Sequence, residues 1–484
     1  MKKRLFALLM LASMMATACG GENAVTEQTG TVSAVGTETA DAPTLLDTLP
    51  DGIDYGGAAY GILTTDYWFT EYNSTLNADV ENGDTLNDAA YRVNTFVEEQ
   101  YNVDVVYHYG KDFSIVSDVR AAAMAGDNTY QYLAFGSAWD NCVSLITDGA
   151  LYNLMDIPEL DLKSEGFYTE ANENFIINDR LYFAFSNYAN AGGLPLYMVF
   201  NIDLLKQFDL PLPYDTILSG DWTMDVFEQY IKGVSADING DGKIDGFDRH
   251  GFASGDKISN YCVFGYDVHV VERTEDSSYI PAIMKEEFVV RAQKWLDFKH
   301  NNSDVFIHSS VKGDTEAEHM FLLGNTLFAH TGSGLSDTNM RAIDTFDFGV
   351  APFPKYDAAQ DGYGNYLALN QFGIPSSVAD PSMAAIVAHG LSVASKVIME
   401  PAYMDVFMET KLLRDEESVQ IIQMMKDDPI IDVARYYDFH EDTITPVYLL
   451  SSTNDPGKIV SGFEKVEKRA AAKAADFFSV FFEQ

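Results

Sequence analysis

Twelve consecutive residues carry the most specific chemistry in this chain of 484 residues. Asp237-Ile238-Asn239-Gly240-Asp241-Gly242-Lys243-Ile244-Asp245-Gly246-Phe247-Asp248 put side-chain oxygens at loop positions 1, 3, 5, 9 and 12. Calcium takes about six to eight hard oxygen ligands, and a loop of this spacing supplies them from one stretch of backbone. Asp237, Asn239, Asp241, Asp245 and Asp248 would ligate through their side chains, and Lys243 through its carbonyl. Gly242 stands where the sharp turn needs it, and Ile244 is expected to anchor the loop to a core. Asp in the last position, where Glu is usual, shortens the reach. No second loop or paired helix accompanies this one, so the expectation is a structural calcium ion and not a sensor. The competing reading is a solvated turn rich in Asp and Gly.

A second set of residues has the makings of a sugar site. Sugars present C–H faces and many hydroxyls, so they need flat aromatic platforms flanked by carboxylates and amides. Asp66, Tyr67, Trp68 and Glu71 form one such group. Trp139, Asp140 and Asn141 form another, following the turn at Gly136-Ser137, and Tyr188 beside Asn187 is a further candidate. Core packing is the competing use of every one of these rings. Trp295, by contrast, lies on an amphipathic helix and is expected to be structural.

These groups sit where an α/β pattern would place a ligand. Ala58 to Thr64 reads as a strand. Thr85-Leu86-Asn87-Asp88 matches the capping-box pattern, and Leu86, Ala89, Ala90, Val93, Phe96, Val97 and Tyr101 follow at helical spacing. Val103 to Tyr109 and Gln131 to Phe135 read as strands, separated by a helix over Ile115 to Ala125 and followed by another over Trp139 to Gly149. Strand, helix and strand at this spacing imply parallel strands with right-handed crossovers. Ligands of such sheets bind beyond the carboxyl ends of the strands, which selects the loops at 65–73 and 136–141. Leu181 to Phe185 and Pro195 to Asn201 look like paired extended segments. Helices are expected over Thr223 to Val234 and Glu286 to His300, short strands over Leu327 to Thr331 and Phe346 to Ala351, and a helix capped by Asp380 with Pro381 in its first turn. From about Glu400 the chain is helix-rich.

The N-terminus sets an address. Lys2, Lys3 and Arg4 precede an apolar run from Leu5 to Met15, the length of a signal-peptide core and short for a membrane span. The run closes on Ala16-Thr17-Ala18-Cys19, which resembles a bacterial lipobox; the resemblance implies that Cys19 is acylated. Residues 20–52 are poor in large apolar side chains and read as a flexible tether. No second apolar stretch of spanning length is evident. Cys142 and Cys262 are expected to be separate buried thiols. The net charge of −42 excludes nucleic-acid binding by phosphate neutralisation and favours a soluble body with a neutral or cationic ligand.

In order along the chain, several segments resemble the extracellular carbohydrate-binding lipoproteins of ABC importers of Gram-positive gut bacteria, related in architecture to maltose-binding protein. They are Asn87 to Tyr91 with Val97 to Val103, Asp148 to Leu151 with Leu154 to Asp156, Phe200 to Leu205, Asp221 to Phe227, and Phe348 to Pro354. The resemblance implies a two-lobed periplasmic-binding-protein-like α/β fold with hinge strands and a helical C-terminal region. Lobe one would take 53–190 and 352–400, and lobe two 191–351 and 401–484. It further implies a monomer on the extracellular face of the cytoplasmic membrane, capturing a carbohydrate, expected to be an oligosaccharide, for an ABC permease. After His330-Thr331-Gly332-Ser333-Gly334 the tryptophan of maltose-type relatives is missing, so second-lobe contacts do not carry over. No HExxH, GxSxG, P-loop or CxxC motif is present, and no catalytic residue is assigned. A binding protein for peptide or another solute is the first alternative. A surface glycoside-processing enzyme and an adhesion module are the others.

Overall fold

The computed structural model describes residues 44–65, 76–110, 115–135, 142–190, 195–255, 260–308, 320–330, 343–367, 369–409, 415–427, 429–437, 450 and 455–482. In chain order the strands are β1 (Ala58–Thr65), β2 (Val103–Gly110), β3 (Tyr132–Phe135), β4 (Met198–Asn201), β5 (His250–Gly255), β6 (Val271–Arg273), β7 (Tyr279–Pro281), β8 (Val305–His308), β9 (Thr326–His330), β10 (Phe348–Ala351), β11 (Asn365–Tyr366), β12 (Gln371–Gly373) and β13 (Pro429–Ile430).

Two sheets define two lobes. The first has the order β12-β3-β1-β2, with β1 parallel to both neighbours and β12 antiparallel to β3. Tyr60, Ile62 and Leu63 of β1 are buried, as expected of a parallel strand covered on both faces. Gly61 has to be glycine, because a Cβ there would strike the Thr129 carbonyl. The second sheet runs β10-β4-β9-β5-β8, with β5 parallel to β8 and β9.

The helix Thr85–Tyr101 packs Ala89, Ala90, Val93, Val97 and Tyr101 inward. Its cap differs from the expected box. Asp84 is the N-cap, its Oδ1 accepting from Leu86 N at 3.1 Å and Asn87 N at 3.0 Å, while Asp88 turns back to Asn82 and Gly83. A carboxylate one residue earlier reaches the free N–H groups, so Thr85 is already helical. Asp380 does cap the helix Pro381–Ala394, accepting from Met383 N at 3.0 Å. That helix continues to Met404, and the run is long and apolar enough to cross a membrane, which the sequence reading missed; 67% of its most apolar window is buried, so it serves as a core helix.

Leu181 to Phe185 and Pro195 to Asn201 do not pair with each other. Ala184 bridges to Phe372 in the first lobe, whereas β4 lies between β9 and β10 in the second. Both segments are extended because the chain passes from one lobe to the other between them. Pro195 bridges to Leu367 on the return passage, and β11 runs parallel to β13 on a third. These adjacent passages are the hinge.

Residues 352–363 stay with the second lobe. Trp222 Nε1 donates to Pro352 O at 3.1 Å, Lys355 N to Trp222 O at 3.0 Å, and Tyr363 OH to Ile217 O at 2.8 Å. The C-terminal helices touch both lobes: Glu400–Glu409 packs on Thr85–Tyr101, and Ile459–Ser479 lies on the β6–β7 hairpin. Trp222 and Trp295 are fully buried, and Cys142 and Cys262 are both buried with no disulfide between them.

Candidate ligand site

Three parallel strand ends of the second sheet, Gly255, His308 and His330, and three of the first, Thr65, Gly110 and Phe135, immediately precede segments outside the described residues. Asp66, Tyr67, Trp68 and Glu71 follow β1, and Trp139 and Asp140 follow β3; all six lie outside the described residues. The strands that should carry them are thus in place and end where the sequence put them.

Tyr188 takes a different position from the one expected of a sugar platform. Its ring is 2% exposed and meets Tyr132 edge-on, and its hydroxyl bonds to Tyr107 OH and, at 3.3 Å, to Asn94 Oδ1. Burial raises both phenols well above their ordinary range. Tyr188 therefore braces the first lobe from within.

Other residues at these strand ends went unnoticed in the sequence. Among the described residues, Thr65 Oγ1, both amide atoms of Gln371 and Nδ1 of His330 are buried and have no hydrogen-bond partner. A Gln directly before the apolar stretch from Phe372 to Ile374 was the available signal. Burial pushes His330 down to about 3, so its imidazole is neutral.

The loop 237–248 is built on side chain to backbone bonds. Asp237 accepts from Gly240 N at 2.6 Å and Gly242 N at 2.8 Å, Asn239 from Asp241 N at 2.9 Å, Asp241 from Lys243 N at 2.9 Å, and Asp245 from Phe247 N at 3.0 Å. Buried Asp248 closes it, accepting from Ile238 N at 3.0 Å and Asp245 N at 2.9 Å, and these bonds hold its carboxyl below the usual range. The donor set is all oxygen, which suits a hard cation. Among the described residues, however, no three His, Cys, Asp or Glu side chains are gathered closely enough to hold a metal ion. Nor does Ile244 anchor the loop: it is 49% exposed, and Phe247 is 70% exposed. Asp248 instead ties the two ends of the loop together, and His250 of β5 meets it through Asp245 O at 2.8 Å.

Away from the strand ends, a cavity of about 430 Å³ opens between the β6–β7 hairpin, the start of the helix Glu286–Asn301 and residues 431–433. It contains none of the residues discussed above, and it borders a junction between the lobes. There the end of the first-lobe helix Thr169–Asn174 meets the hairpin and Tyr437.

The order of the strands, the three hinge passages and the placement of the strand ends decide the architecture. The fold is that of the ABC solute-binding proteins. An extracellular solute-binding protein of Staphylococcus aureus in complex with maltose matches with TM-score 0.56 and 10% identity, over 88% of this chain and 99% of that one. An ABC substrate-binding protein of Listeria monocytogenes in complex with cycloalternan matches with TM-score 0.52 and 12% identity, over 90% and 100%. The GacH receptor of Streptomyces glaucescens, solved unliganded and with acarbose, matches with TM-score 0.52 and 12% identity, over 85% and 99%. No family model and no curated protein matches the chain. In this solute-binding fold the two lobes come from one chain that crosses the hinge, and the unpartnered polar atoms lie at the strand ends of both.

Proposed function

We propose that the protein is the extracellular solute-binding component of an ABC importer, taking a carbohydrate between its lobes and passing it to a membrane permease. The carrying observation is the two-lobed fold with three hinge passages, shared along nearly their whole length with proteins solved with maltose, cycloalternan and acarbose. Hinge closure on a ligand is the known behaviour of binding proteins of this build. The ligand is an oligosaccharide, held by Trp68, Tyr67, Asp66 and Glu71 from one loop and Trp139 and Asp140 from another. Their aromatic and acidic composition supports this, and so does the position of both loops after β1 and β3. Cys19 carries the lipid anchor, and the body acts as a monomer by binding, not by turnover.

A thermal-shift screen of residues 50–484 against mono- and oligosaccharides tests the reading. A ligand that binds only the folded state raises the melting temperature by mass action. A rise of several degrees with one oligosaccharide series is expected. A flat response to sugars with a rise for peptides would keep the fold and overturn the ligand, and cleavage of the sugar would overturn the binding role.

We also propose that loop 237–248 takes a calcium ion through Asp237, Asn239, Asp241, the Lys243 carbonyl, Asp245 and Asp248. Its hard-oxygen donors support this. Binding would draw the carboxylates together and stiffen the loop. Chelation is expected to lower the melting temperature, and restored calcium to return it. An unchanged melting temperature in stripped protein would sink the idea.

A further inference from the structure

Buried polar groups normally have partners, because a bare one forfeits the hydrogen bonds it made in water. Gln371 departs from this at both ends of its amide. The side chain is 0% exposed, and neither Oε1 nor Nε2 has a partner. Its backbone is nevertheless held on both sides. Asn370 N donates to Asn190 Oδ1 at 2.5 Å and Asn370 Nδ2 to Ala189 O at 3.0 Å, while Asn190 Nδ2 donates back to Asn370 O at 2.8 Å. On the other side Phe372 exchanges backbone bonds with Ala184 at 2.8 and 3.0 Å. A misplaced amide in a loose segment is therefore not the explanation.

The register sets its company. Gln371 stands opposite Phe135, the last residue of β3. Continuing the pairing of Leu63 with Leu133 by two residues brings Thr65 opposite Phe135 from the other side. Thr65, Phe135 and Gln371 then share a row across the carboxyl edge of the first sheet and point to one face. Thr65 Oγ1 is buried and also without a partner. In the second lobe His330 ends β9 in register with Ser254 and Met198, 1% exposed and with Nδ1 bare. Its depressed pKa, caused by burial alone, keeps the ring neutral. All three groups are uncharged, and each can both donate and accept.

We infer that Gln371, with Thr65 across Phe135 in the same row and His330 at a strand end of the second lobe, forms an uncharged floor that takes hydroxyls of a neutral ligand. This rests on the reading of the strand ends as a solute-binding cleft. Adjacent hydroxyls each donate and accept, as a primary amide does with its two ends. A carboxylate terminus placed there would be desolvated with no opposite charge to meet it.

The test is Gln371→Met, close in shape and apolar. Melting temperature is measured without ligand, and binding of maltotetraose, cycloalternan and trialanine by calorimetry. The ligand-free variant is expected to melt higher than wild type, because a bare amide has been replaced by an apolar group of similar shape. Affinity for whichever sugar binds wild type is expected to fall about ten- to a hundredfold. A lower ligand-free melting temperature would mean that the amide has structural partners and would overturn the inference. Unchanged sugar affinity in the variant would overturn it too. Trialanine binding that is lost in the variant would overturn the neutral-ligand half alone. A wild type that binds no sugar fails at the level of the importer reading, while the ligand-free melting temperatures still judge the bare amide.

Discussion

Two regions of this molecule treat their polar groups in opposite ways. At the end of the helix Thr169–Asn174 four successive carbonyls face out of the first lobe, as the last carbonyls of any helix must. Each is taken by a side chain from outside that lobe. Arg273 donates to Glu173 O at 3.3 Å and Ile176 O at 2.7 Å, Tyr279 to Asn174 O at 2.6 Å, and Tyr437 to Phe175 O at 3.2 Å. At the strand ends, Gln371, Thr65 and His330 are left bare. A surface that stays docked completes its hydrogen bonds within the chain, whereas the one proposed to receive a solute leaves them open. Lobe closure must therefore turn about an axis that spares the carbonyl junction, or break four hydrogen bonds together.

The largest expected effect lies on the open side. His330 has a folded pKa near 3 against about 6.5 unfolded. Above pH 6.5 both states are neutral and nothing is lost. As pH falls toward 3 the unfolded chain binds a proton that the folded one refuses, so stability drops by up to about 1.4 kcal/mol per pH unit. His250 and His389, also lowered by burial, act in the same direction. Urea titrations at pH 7, 5.5 and 4.5 should show the fall, and His330→Gln should flatten it. An equal slope in the variant would mean that His330 is not the proton-refusing group.

On the closed side, Arg273→Ala removes two charge-assisted bonds and leaves the Ile176 carbonyl short of a donor, while Glu173 O keeps the Ile176 N–H. A loss of about 2 kcal/mol is expected by urea unfolding. If the junction pins the hinge, the same variant should also change the small-angle scattering profile without ligand. An unchanged profile and unchanged stability together would remove the junction from the comparison.

Much of the frame was legible in the sequence, because periodicity reports burial directly. The strands β1, β2 and β3, the inward face from Ala89 to Tyr101 and the Asp380-Pro381 start all follow from spacing and cap chemistry. Errors came where two local solutions are equally good or where the deciding partner is remote. Asp84 and Thr85 can each cap a helix, and only the backbone decides between them. Leu181–Phe185 and Pro195–Asn201 have the composition of paired strands, but their partners are remote in sequence, Phe372 for Ala184 and strands β9 and β10 for β4. Ile244 fits the loop pattern, yet it stays half exposed, and the loop is closed by Asp248, a buried carboxylate with two backbone donors. Bare polar atoms such as those of Gln371 cannot be read from sequence at all, since they are defined by what fails to surround them.

The smallest effect is the sharpest test of how the closed side is built. Tyr279→Phe and Tyr437→Phe each delete one hydroxyl and leave the ring contacts, which for Tyr437 include Phe175 at 5.2 Å. Each is expected to cost about 1 kcal/mol, the net value of one hydrogen bond with its acceptor left behind. The two hydroxyls serve adjacent carbonyls of one helix end, so the double variant should cost more or less than the sum if the junction acts as a unit. Thr65→Val at the open side removes a hydroxyl of similar size that has no partner, and should cost nothing or stabilise. Opposite signs for the two kinds of hydroxyl deletion would establish the contrast with one type of atom. Equal losses at both would show that the strand-end hydroxyl is satisfied after all, and the contrast between the two regions would fall.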